Sequence, residues 1–196
     1  MSEFWRYAEY GFNFVFTIRN YHFFLFLVAL TIPYTFKEWK KVMLLAAIFT
    51  IGYVIALLLS AFGVVHIRES TIGFLIPMAI LVTAVFNLFS SAKSSKEIHI
   101  NIVGFITLFL GMIYGLTFSE YFKSVFSGKQ SDKIVSLLEF AIGIASAETL
   151  IVTAVLILTY LIHTFFRSSK RDVTLVLSAF AIGVVVPEII SHPVWK

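Results

Sequence analysis

Cysteine is absent from the chain, which excludes disulfides, thiolate metal sites and cysteine nucleophiles. Charge is scarce as well: 13% of the 196 residues are charged, where a soluble domain carries ~25%. No phosphate-cradling glycine loop, nucleophile elbow or HExxH helix occurs, so no enzyme is expected. The net charge of +4 comes from 15 Lys and Arg against 11 Asp and Glu, but the cations sit in short runs between apolar stretches. No basic face with interleaved exposed aromatics forms, and a nucleic-acid partner is not expected.

What the chain has in excess is apolar surface. Hydrophobic residues make up 59% of it, including 22 phenylalanines, and the mean hydropathy is +0.94. A soluble fold of this size could not hide that surface, whereas lipid tails are as apolar as the side chains themselves. The first partner is therefore the lipid bilayer. The fold class that follows is all-α: a polytopic membrane helix bundle of about six spans, with residues 1–196 forming one membrane domain.

A span needs ~20 mostly apolar residues. The stretches that qualify are residues 20–36, 42–65, 72–89, 100–118 (with a continuation toward 126), 134–166 and 173–190. Pro33 and Lys37 end the first, and Pro187 and Pro193 end the last. Residues 1–19 lack a cleavable-leader pattern, because Glu3, Arg6, Glu9 and Arg19 interrupt the apolar run. Phe4, Trp5, Ala8, Phe12, Val15 and Phe16 fall near helical spacing, so an amphipathic helix on the membrane surface is expected there. The loops are too short to hold a domain. Those after spans one, three and five carry Lys37, Lys40, Lys41, Lys93, Lys96, Arg167, Lys170 and Arg171, eight of the 15 cations. Dense short-loop cations mark the cytoplasmic side, which puts both termini outside, with Lys123, Lys129 and Lys133 weighing against it.

Glu148 is the residue that asks most for an explanation. It lies near the middle of the fifth span, where a carboxylate costs a few kcal/mol or more and should face the bundle interior. Ala145 and Ala141, at i−3 and i−7, leave room beside it, and Ser146, Thr149 and Thr153 put hydroxyls nearby in sequence. A proton or cation site and a neutral acid hydrogen-bonded between helices both fit. Gly111 and Gly115 form a GxxxG in span four, and Gly143 with Ala147 a small-xxx-small pair in span five; these permit close helix approach, within the chain more readily than between copies. A homo-oligomer or a membrane partner stays open. Of the histidines His22, His66, His99, His163 and His192, no two share a helix at i, i+3 or i+4, the spacing that a helical metal site prefers. Pro77 sits inside span three and is expected to kink it, and Asn87 adds a polar group near its end, which suits a cavity or packing equally.

Several segments taken together resemble the HupE/UreJ family of membrane proteins. They are Tyr21-His22-Phe23-Phe24-Leu25-Phe26-Leu27, Phe49-Thr50-Ile51-Gly52-Tyr53, Phe74-Leu75-Ile76-Pro77, Gly111 through Ser119, Leu138 through Ile144, and Lys170-Arg171-Asp172. The resemblance runs over roughly residues 10–190. It implies a bacterial inner-membrane permease scaffold, with nickel or cobalt as the transported ion. The family's metal-handling motifs are an Asp-His near the first span, a Gly-His in the second, a His-Gly-Leu-Gly-Phe in the fourth and a Glu with a Gln in the fifth. Opposite them stand Tyr21-His22 or His22-Phe23, Gly52-Tyr53, Tyr114-Gly115-Leu116-Thr117-Phe118, and Ala145 with Glu148. The metal ligands implied to survive are His22 and Glu148. Imidazole suits nickel and cobalt, and neutral tyrosine is a poor substitute. The expectation is thus a cation or small-solute path lined by Glu148, His22, Tyr53 and Tyr114, or else a non-transporting assembly partner on the same scaffold.

Overall fold

A computed structural model describes residues 3–92, 100–129, 132–166 and 168–195. Lys93, Lys96, His99 and Arg167 fall outside them. Among the described residues every regular element is helical: α1 (Glu3–Val15), α2 (Tyr21–Thr31), α3 (Trp39–Ala61), α4 (Glu69–Ala92), α5 (Ile100–Val125), α6 (Lys133–Phe166) and α7 (Lys170–Ser191), joined in part by short 3₁₀ turns. Helices α3 to α7 are each long and apolar enough to cross a membrane.

The first expected span is shorter than the sequence suggests, because α2 holds only 11 residues and stops at Thr31. Pro33 has no N–H to give to the carbonyl four residues back, at Ala29. The side-chain amide of Asn87, on α4, supplies that missing donor at 2.6 Å. One turn further, the Thr174 hydroxyl of α7 donates to the Ile32 carbonyl at 3.2 Å. The broken end of α2 is thus held by polar side chains from α4 and α7, as buried backbone groups require. Asn87 is in this way a backbone lock, and it also faces an apolar cavity lined by Leu30, Tyr34, Phe86 and Leu110.

Three helix pairs organise the bundle: α3 with α5, α1 with α6, and α4 with α7. The α3–α5 seam is made by glycine. A Cβ at Gly52 would overlap the Leu108 carbonyl, one at Gly111 the Phe49 carbonyl, and one at Gly115 the Tyr53 carbonyl and the Ala56 Cβ. Gly111 and Gly115 therefore serve packing inside the chain. The α1–α6 seam repeats the device, with Gly11 against the Phe140 carbonyl and Gly143 against that of Ala8, while Ala147 is fully buried. Helix α1 forms as expected, but its inner face is Tyr7, Ala8, Gly11, Phe14 and Val15, whereas Trp5 and Phe16 are exposed. The apolar residues alone misplace that face, because the glycine that allows close docking on α6 is not hydrophobic.

The two ends of the bundle are tied differently. At one, Glu38 binds Lys41 at 3.1 Å and Lys170 at 3.0 Å, joining the starts of α3 and α7. At the other, the Lys133 ammonium donates to the Ala61 carbonyl at 2.5 Å and Lys123 to the Ser60 hydroxyl at 3.2 Å. Both cations sit at the C-terminus of α3, where the last carbonyls lack helical partners and the dipole end is negative.

Candidate functional site

Of the four residues expected from the sequence to line a path, Tyr53 and Glu148 both lie beside Thr50, Tyr114 shares the aromatic core of Tyr53, and the His22 ring is turned to another partner. Tyr53 of α3 and Tyr114 of α5 are both fully buried in one aromatic core with Phe23, Phe26, Phe49 and Phe118. Ring centroids are 5.6 Å apart for Phe49–Tyr53 and for Phe49–Tyr114, 5.3 Å for Tyr53–Phe118 and 5.1 Å for Phe26–Tyr114. These spacings are those of favourable edge and tilted ring pairs. Each phenol is also satisfied: Tyr53 donates to the Ala141 carbonyl at 3.3 Å and Tyr114 to the His22 carbonyl at 3.1 Å. Tyr53 thereby links α3 to α6, and Tyr114 links α5 to α2. The space between α2, α3 and α5 is filled with carbon.

Glu148 lies on α6 and is 1% exposed. Its Oε2 accepts from the Thr50 hydroxyl of α3 at 3.0 Å. Its Oε1 is buried with no hydrogen-bond partner among the described residues, which is expensive for a polar atom in a medium of low dielectric. Ala141 and Ala147 are buried on the same helix, while Ala145 is half-buried. Ser146, Thr149 and Thr153, expected nearby, face outward. The first two donate to the backbone of their own helix, at Ile142 and Ala145. Near Glu148 the hydroxyl that matters is Thr50, which the sequence reading passed over.

The His22 ring does not meet Glu148. Its Nε2 lies 2.6 Å from Oε2 of Glu188, on α7, and the Tyr21 phenol donates to the other oxygen of the same carboxylate. Tyr21 stacks on the His22 ring with centroids 4.0 Å apart. Glu188 was missed in the sequence, although it was visible as a carboxylate near the end of the last apolar run. Among the described residues no group of three or more His, Asp or Glu side chains is placed to hold a metal ion. His163 turns to the Ser168 carbonyl at 2.9 Å and His192 packs by Phe74. At Glu148 the described residues bring together one carboxylate and one hydroxyl, with a second carboxylate oxygen left over.

The sequence matches the family described as HupE / UreJ protein over residues 1–190. No curated protein matches, and no solved structure does.

Proposed function

Because this chain belongs to the HupE/UreJ family, we propose that it is a permease-scaffold membrane protein that passes a proton or another small cation, with Glu148 as the binding group. The observation that carries the reading is the buried, partnerless Oε1 of Glu148 beside a hydroxyl-bonded Oε2. An intramembrane carboxylate is by default a functional group. One carboxylate and one hydroxyl are hard oxygen ligands, suited to a proton or a weakly held cation. Nickel and cobalt prefer imidazole, and the imidazole of His22 is engaged by Glu188. Nickel or cobalt transport, which the family scaffold implies, is therefore less well supported than movement of a lighter ion. In this reading the protein is no enzyme, sits in a bacterial inner membrane and has both termini outside. The binding of Lys123 and Lys133 to the end of α3 supports that orientation, since it gives the two cations a structural reason to be there.

The test is a pH-sensitive dye sealed in proteoliposomes. The wild type is expected to dissipate an imposed pH or cation gradient, and Glu148→Gln to abolish the flux while folding normally. A wild-type protein that moves neither protons, sodium nor potassium contradicts the proposal. That outcome favours a second reading, a non-transporting partner subunit, which the closed aromatic core around Tyr53 and Tyr114 supports. Its signature is a second membrane protein recovered in fixed ratio.

A further inference from the structure

Away from Glu148, a cavity of about 240 Å³ opens between the N-terminal half of α1, the loop after α5 and the first turns of α6. That is more than ten times the ~15 Å³ that one water needs. Its walls are mostly polar and carry both signs of charge: Arg6, Tyr7, Ser127, Asp132, Ser136 and Glu139. Tyr7, Ser136 and Glu139 are buried, while Arg6 and Asp132 are exposed at the rim. Tyr7 packs at a tilt against Phe126, ring centroids 6.0 Å apart, and accepts the Ser127 N–H at 3.4 Å. Arg6, Asp132 and Glu139 each already engage neighbours, so the lining is ordered before any ligand arrives.

The surroundings say what kind of ligand fits. The cavity lies where α5 ends and α6 begins, at the level where spans meet the headgroups. Trp5 is exposed beside Arg6, as aromatic side chains are at that level. Directly along α6 runs an exposed apolar strip, Ile134, Val135, Leu138 and Ile142, one helical stripe leading away from the cavity toward the middle of the bilayer. A soluble solute would have no use for that strip, whereas an acyl chain would lie on it. At the cavity rim the guanidinium of Arg6 suits a phosphate. The carboxylate of Glu139 and the Ser136 hydroxyl suit a group with several N–H donors.

We propose that this cavity is a phospholipid site selective for a headgroup with a primary ammonium, holding its phosphate at Arg6 and its ammonium at Glu139 and Ser136, with an acyl chain on the outer strip of α6. Phosphatidylethanolamine has that chemistry. Phosphatidylcholine carries the same charges but no N–H to donate, and phosphatidylglycerol lacks the cation. The site is independent of Glu148 and stands or falls separately from the proposed transport.

Native mass spectrometry of the full chain, delipidated in detergent and offered the three lipids with identical acyl chains, tests it. Phosphatidylethanolamine is expected to be retained about tenfold over phosphatidylcholine, the worth of one charge-assisted hydrogen bond. Glu139→Gln should erase that preference, and Arg6→Gln should weaken both zwitterionic lipids alike. Ser136→Ala, which leaves every charge in place, guards against misfolding of the charge variants and should reduce the preference about threefold. Equal retention of the two zwitterionic lipids overturns the proposal. So does a preference for phosphatidylglycerol, or one that survives in both Glu139→Gln and Ser136→Ala. Binding of soluble glycerophosphoethanolamine as tight as that of the lipid would overturn the membrane source and leave a site for a small zwitterion.

Discussion

The two halves of this bundle are held together by different means. In the half made of α1, α3, α5 and α6, backbones touch through Gly11, Gly52, Gly111, Gly115 and Gly143. In the half made of α4 and α7 no described glycine meets a backbone in this way: Gly183 of α7 has open space where its side chain would be, and 28% of the α7 span is buried, against 61% of α5. That half is tethered to α2 by side chains instead, through Asn87, Thr174 and Glu188. Its prolines, Pro77 and Pro187, lie inside helices, and each removes one backbone hydrogen bond. In lipid, apolar area does not drive helices together, so association relies on close fit or on polar links. The glycine half uses fit and the proline half uses links. Glu148 sits in the tight half, 1% exposed.

The comparison breaks most visibly at the seam. Gly111→Leu pushes a side chain into the Phe49 backbone, which cannot give way as a side chain could. A loss of about 3 kcal/mol or more is expected, read as a lowered melting temperature and loss of the monodisperse peak in detergent. Thr50→Val comes next. It keeps the shape but strips Glu148 of its donor, so a loss of about 1–3 kcal/mol is expected in the same melt. Gly183→Ala is the smallest: with nothing to strike, it should leave stability unchanged or raise it by no more than ~1 kcal/mol, the difference in helix propensity. Equal effects at Gly111 and Gly183 would mean that the two halves are not built differently.

Much of this was readable in the sequence. The five long spans follow from apolar runs, and Gly111 with Gly115 announced a seam without naming Gly52 as the partner. Glu148 announced itself by its depth. The hydroxyls around it misled because neighbours in sequence are not neighbours on a helix. At about 100° per residue, Thr149 and Ser146 turn well away from the face of Glu148, and the bonding hydroxyl comes from Thr50, 98 residues earlier. The pairing of His22 with Glu188 spans 166 residues and no local pattern carries it. Pro33 did carry a signal, since a missing N–H four residues after Ala29 demands a donor from elsewhere, and Asn87 provides it.

The central claim is that the family's scaffold survives here with its transition-metal site replaced by packed rings and a single carboxylate. Calorimetry of the purified protein with nickel, cobalt and zinc tests it most directly, with His22→Ala and Glu148→Gln beside the wild type. No micromolar binding of any of the three metals is expected in any of the proteins. Micromolar nickel or cobalt binding by the wild type, lost in both variants, would contradict it and restore a metal site that spans His22 and Glu148.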